Sequence, residues 1–392
     1  MKASDIQKIQ EAGLITSEQG HAIVQHFQLE TESRRFLVIL SVLGGILVSG
    51  GVILLVASNW EEIPRLMKVT CGLALLVAAH FGGWWLGREG RHSIPAAGLR
   101  LVGSGLFLAN IGLIGQVYNL SSRPPNALLL WCAGIAPLPW ILRSKTQLLL
   151  MWIAFGTWIG MELEQPDSLI YFDGEARLSL FYALLGILIS ALGVLLARTR
   201  FPEFGPATEK FGLLLLHITS YPLTLTFFYG SKATAPGAWV VCGIVSLAAV
   251  IALCVNAGRS AFVPDRQWRW TWTAALLLVL ALVWAGFFWR HDPVWDGFGR
   301  HRPGLHWIAT PLLFALCVLQ AQVGVIRRSA WLVNTAVVFM GLHIITAYFE
   351  LFGSMQTTGL FFVAGGLGLI GLAFCLEKKR RALIERFASA QT

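Results

Sequence analysis

The chain has 392 residues, of which 56% are hydrophobic and 13% charged, with a mean hydropathy of +0.65. Soluble domains carry about 25% charged residues, so this composition excludes an ordinary water-soluble fold and specifies a polytopic membrane protein. The formal charge of +9 would suit a nucleic acid, but the basic residues mark one membrane face rather than a patch, which excludes that partner.

Residues 1–35 read as a small helical hairpin. Ser4 caps a first helix through Ala12, and Gly13 supplies a left-handed stop. Thr16 then opens a second helix, with Gln19 three residues on completing a capping box. Ile6, Ile9, Ile23 and Phe27 belong to an apolar stripe at helical spacing. The hairpin is too small for a core of its own. It therefore docks on a partner, on a second copy or on its own membrane domain. Ser33-Arg34-Arg35-Phe36-Leu37 superficially resembles a twin-arginine signal. The apolar run behind it is too long for a signal h-region, so it reads as a positively charged inner anchor.

A crossing needs about 20 apolar residues. Twelve spans are predicted, at 36–58, 65–87, 99–119, 127–142, 146–161, 178–197, 211–229, 238–257, 270–289, 307–326, 329–349 and 357–376. The fourth and fifth are short and read as a tight crossing hairpin or as a re-entrant pair. A membrane domain over 36–376 and a basic tail over 377–392 follow. The fold class is all-α, a polytopic integral membrane helical bundle of about twelve transmembrane helices. With the N-terminus in the cytoplasm, 22 of the 30 Lys and Arg fall on the inner side and 8 outside. That asymmetry predicts both termini in the cytoplasm. The six Cys all lie in apolar stretches, which argues against a disulfide framework and against a Cys-based metal site.

After the first span the chain reads SNWEEIPR, residues 58–65, which this threading places on the outer face. Asn59 is placed to cap a helix, with Glu62 as its reciprocal partner and Glu61 beside it at the positive helix end. Pro64 suits the first turn, and Trp60 suits the headgroup level. The third span exits on the same face as GLIGQVYNL, residues 112–120. Asn59, Trp60, Glu61, Glu62, Gln116, Tyr118 and Asn119 thus share a depth and form a predicted outer-face polar cluster. Such a cluster binds a headgroup, a lipid-linked substrate or a partner, or it glues helices together through hydrogen bonds. Glue is the preferred reading, because polar side chains commonly join spans.

The hairpin ending in Gly13-Leu14-Ile15-Thr16, the NWEEIP after the first span and the LIGQVYNL ending the third resemble domain of unknown function 2157. The resemblance covers roughly residues 1–145. It implies a bacterial integral membrane protein, hence one of the inner membrane, without an established activity. It also implies a second polytopic membrane protein, bearing a Gly-Asp-Tyr motif, as a partner.

The spans carry no Asp, Glu, Lys or Arg near their centres, which argues against an ion-coupled transporter or pump. His80, His217 and His343 lie within spans, where a neutral His bonded to a neighbouring helix is the common case. Gln320, Gln322, Asn256 and Asn334 sit near the inner face, around a hydrated vestibule or simply at span ends. The outer loop at 290–306 gathers His291, Asp292, Asp296, His301 and His306, but no metal-ligand spacing is present. No phosphate-binding loop, nucleophile elbow or His-Glu-x-x-His occurs. No catalytic residue, metal or cofactor is therefore predicted. The leading expectation is a non-enzymatic inner-membrane protein acting through a membrane partner or the lipid bilayer, with any small-molecule ligand unassigned. The alternatives are a membrane-embedded transferase on lipid-linked substrates, suggested by Glu61 and Glu62, and an uncoupled carrier or flippase.

Overall fold

The computed structural model describes residues 60–88, 93–172, 175–225, 235–259, 265–288, 305–351 and 358–389. It also describes Gln10, Ala12, Thr16, Glu18, Gln19, Ser58, Phe262 and Val263. The helices are α1 (Arg65–Gly87), α2 (Ser93–Val117), α3 (Pro124–Ile135), α4 (Leu138–Leu142), α5 (Lys145–Glu164) and α6 (Glu175–Leu196). They continue with α7 (Gly205–Ser220), α8 (Pro236–Gly258), α9 (Arg266–Phe288), α10 (His306–Ile326), α11 (Ala330–Leu351) and α12 (Thr358–Ser389). Nine helical segments among the described residues are long and apolar enough to cross a membrane. The chain is an all-helical polytopic membrane protein. The first expected span, most of the N-terminal hairpin and the loop at 290–304 lie outside the described residues.

The chain divides into two units, Met1–Cys71 and Gly72–Thr392. In the first, the expected capping box is formed. The Thr16 N–H donates to Gln19 Oε1 at 3.0 Å, and the Gln19 N–H donates to Thr16 Oγ1 at 3.3 Å. Trp60–Glu62 form one turn of 3-10 helix, and α1 starts only at Arg65. Its first carbonyl is that of Pro64, which accepts the Lys68 N–H at 3.1 Å. The long helix thus begins later than the Asn59 cap predicted. Proline suits this boundary because its missing N–H would have had no helical partner.

In the second unit the two short spans lengthen. Residues Pro124–Leu142 and Lys145–Glu164 provide 19 and 20 residues, enough for two crossings. The first is interrupted at Pro137, between α3 and α4. Arg143 then adopts φ 45° and Ser144 caps α5 by accepting the Gln147 N–H at 3.4 Å. On α2, α3 and α5, polar side chains act as glue. The Trp131 indole donates to the Ser104 carbonyl at 2.8 Å, and the Ser104 hydroxyl donates to Gln147 Oε1 at 3.0 Å.

α6 is the centre of this unit. Phe181, Leu184 and Ile187 are almost wholly buried and pack with Leu216, Cys242, Val283 and Leu313 from the surrounding helices. Its closest neighbour is α7, and the approach is backbone to backbone. A Cβ on Gly212 would lie 2.2 Å from the Ser190 nitrogen, and one on Gly193 would lie 2.3 Å from the Glu209 nitrogen. Only glycine permits helices to pack this closely. α7 begins six residues before the expected span at 211, so Glu209 and Lys210 are helical rather than loop residues. At the far end, α12 runs on without a break to Ser389, so the expected basic tail is a helix in its described part. There Glu377 binds Arg381 and Arg380, whose N–H groups and charge hold its carboxyl below the usual range.

Candidate functional site

The predicted outer-face residues fall in different units. Trp60, Glu61 and Glu62 belong to the first, where the Lys68 ammonium sits 4.4 Å from the Trp60 ring centroid. Asn59 lies outside the described residues. Gln116, Tyr118 and Asn119 belong to the second unit, at the end of α2, and all three are exposed. Asn119 takes φ 50°, the left-handed conformation that Asn tolerates. The Leu120 N–H then reaches the Gly115 carbonyl at 2.9 Å, and the Asn119 N–H reaches that of Gln116 at 3.4 Å. Asn119 therefore has a structural task as a helix terminator. Arg123 ties the last turn of α5 and the loop after it to the start of α3, pairing with Glu162 and Asp167 at 3.0 Å each.

The most developed polar system lies elsewhere, along α7. Near its N-terminal end is an ion pair between Glu209 and Arg327. Two parallel contacts of 2.6 and 2.5 Å join the guanidinium to the carboxylate. The side chains are only 3% and 11% exposed, so the pair is nearly dry. The α10–α11 turn positions Arg327. Arg328 adopts φ 51°, and the Ser329 N–H closes back on the Gly324 carbonyl at 2.8 Å. This fixes Arg327 at the negative end of α10, where a cation is favoured. The same guanidinium stands 4.5 Å from the Phe262 ring centroid.

Beside this pair is a cavity of about 30 Å³, walled by Phe262, Trp272, Leu253 and Leu276. Its polar lining comes from Ser190, Glu209, Asn256, Arg269, Thr273 and Arg327. Each of these residues lies within about two turns of a helix end, so the cavity sits at one edge of the bundle. Arg269 donates to the Ala257 and Val263 carbonyls at 3.3 Å each and so closes the α8–α9 turn. Asn256 donates through Nδ2 to the Ala191 carbonyl at 2.9 Å, while its buried Oδ1 has no hydrogen-bond partner among the described residues.

Eight residues further along α7, roughly 12 Å at 1.5 Å per residue, His217 meets Gln320 at 2.7 Å. Gln320 Nε2 donates to the Leu332 carbonyl at 3.2 Å, so its Oε1 is the acceptor and His217 Nε2 carries the proton. The imidazole stacks on Phe339 with centroids 4.6 Å apart. One turn beyond, the Tyr221 hydroxyl bonds Thr346 Oγ1, and its ring lies 5.6 Å from His343. The residues expected to surround a vestibule therefore divide. Asn256 lines the cavity, whereas Gln320 is bonded inside the helix packing. Among the described residues no group of three or more His, Cys, Asp or Glu is placed to hold a metal.

Residues 7–157 match the model of a family described as "Predicted membrane protein (DUF2157)". No curated protein and no solved structure matches the chain. The cavity and the polar groups on α7 lie outside the matched stretch.

Proposed function

We propose that this polytopic protein resides in a bacterial inner membrane with both termini cytoplasmic, and acts by holding a membrane lipid rather than by catalysis. The observation that carries this reading is the cavity at the ends of α6 to α10, since the ends of membrane-spanning helices lie near the headgroup layer. Its polar groups are built to hold. The Glu209 carboxylate is engaged by Arg327 on both oxygens, a contact that fixes the side chain in place. The basic bias of the loops supports placing this edge in the inner leaflet.

Reporter fusions test the threading. A fusion after Ala390 is expected to report the cytoplasm, and one within 166–174 the opposite compartment. Both reporting one side would overturn it. The lipid reading is tested by native mass spectrometry of the protein purified in mild detergent. One phospholipid is expected to stay bound at near-unit stoichiometry. A stoichiometric second membrane protein without any retained phospholipid would replace lipid by partner.

A further inference from the structure

We propose that the cleft between α5 and α6 holds one acyl chain of a phospholipid from the leaflet at the C-terminal end of α5. The cleft has a volume of about 370 Å³ and shares no lining residue with the cavity beside Glu209. Its existence follows from the packing of α6. Glycines draw α6 onto α7, whereas Tyr182 stands between α6 and α5. The Tyr182 hydroxyl donates to the Gly156 carbonyl at 2.7 Å. A Cβ on Gly160 would collide with the same hydroxyl, so glycine there admits the ring. The Gly156-x-x-x-Gly160 face, a pattern that often joins two spans, is therefore occupied within the protein.

The first argument is shape. The lining takes one face of α5 from Trp152 to Glu164, one face of α6 from Leu178 to Ile189, and Phe211 and Leu215 of α7. Twelve residues at about 1.5 Å each make the cleft about 18 Å long. Dividing 370 Å³ by that length gives about 20 Å², a tube about 5 Å across. A helix with its side chains is about 10–12 Å wide, so no further span of this chain or of a partner fits. A single extended hydrocarbon chain does.

The second argument is chemistry. The wall hydroxyls are already bonded, Tyr182 as above and Thr157 to the Ile153 carbonyl at 2.9 Å. Trp152 Nε1 is buried without accessible surface, so that ring meets the cleft through carbon. Glu164 is the one charged lining residue, and it stands at the very end of α5. Water finds too few partners on such walls, and a void would forfeit their dispersion contacts. Hydrocarbon supplies those contacts. The third argument is depth. A hydrocarbon core is about 30 Å thick, so one leaflet takes about 15 Å of it. The cleft runs from Glu164, the last residue of α5, and stops about 10 Å short of Lys145 at the other end. Ile153 and Thr157 are exposed at its side, so the chain enters from the bilayer and exchanges with it. That separates it from a lipid retained through detergent.

The test uses the full chain in vesicles of phosphatidylethanolamine and phosphatidylglycerol, doped with phosphatidylcholine carrying a photoactivatable diazirine on one chain. The diazirine sits near the methyl end in one lipid and near the carboxyl end in the other, and crosslinked peptides are mapped by mass spectrometry. The first is expected to label Trp152, Ile189 and Phe211, and the second Met161, Glu164 and Leu178. Both are expected to label the cleft more than Ile244 and Leu247, which are exposed on α8. Gly156→Leu is expected to abolish the cleft labels and leave those on α8. Gly156→Ala is expected to keep them, since a Cβ there meets only Tyr182 Cε1, at 3.8 Å. Thr157→Phe narrows the cleft from its exposed side and repeats the test should Gly156→Leu fail to fold. Equal labelling of the cleft and α8 would show ordinary bilayer contact and overturn the proposal. The reversed order along α5 would place the chain in the opposite leaflet and overturn it too. Either result, with a phospholipid still retained in detergent, leaves the lipid reading standing.

Discussion

Glu209→Gln is expected to destabilise the protein by about 3–5 kcal/mol, because it leaves the Arg327 guanidinium charged, buried and without its carboxylate. The side chains are 3% and 11% exposed, so water offers little compensation. Arg327→Met should cost a similar amount by stranding the carboxylate. The combination Glu209→Leu with Arg327→Met removes both charges and should recover most of the loss, since apolar replacements of buried ion pairs are often neutral or stabilising. The measurement is the unfolding temperature in detergent for the unaltered protein, Glu209→Leu, Arg327→Met and their combination, with Glu209→Gln beside them. Single losses below about 1 kcal/mol, the range of exposed ion pairs, would show that the N-terminal part of α7 is wet.

How far the sequence disclosed this arrangement depends on what each residue type signals locally. The apolar runs and their basic flanks are long-range averages, so nine segments could be placed to within a few residues of the helices observed. The Thr16–Gln19 capping box was equally legible, because both partners lie within one helical turn. Glu209 was not. In the stretch Thr208-Glu209-Lys210, charge next to an apolar run reads as a loop. Only the partner, 118 residues away at Arg327, makes helical burial of that carboxylate tolerable. Gln320 misled in the opposite way. It looked like a span end near the inner face, yet its bond to His217 spans 103 residues and has no local signature. Gln116 and Asn119 drew attention because polar residues are rare in spans. The second of them is explained by its own backbone, a left-handed turn that ends α2.

Gly212→Ala is expected to be strongly destabilising, although it adds a single methyl group and improves helix propensity. The new Cβ would meet the Ser190 nitrogen at 2.2 Å, the Gly186 oxygen at 2.8 Å and the Ile189 carbonyl carbon at 2.8 Å. All three are backbone atoms of α6, so no side chain can swing aside and the two helices must separate. Overpacking a core costs about 1–3 kcal/mol where neighbours relax. Here α6 is itself enclosed, and the upper part of that range or more is expected. Separation would also shift Glu209, whose nitrogen lies against Gly193 one turn away. The loss should therefore be smaller in a background that already lacks the Glu209–Arg327 pair. Gly243 provides the control, since a Cβ there meets nothing within 4 Å. In that position Gly→Ala should stabilise α8 by up to about 1 kcal/mol through propensity alone. Melting temperatures that move down for Gly212→Ala and level or up for Gly243→Ala would establish that the α6–α7 contact holds Glu209 in place. Equal and small effects at both positions would place the two helices further apart and remove the support for a fixed cavity beside Glu209.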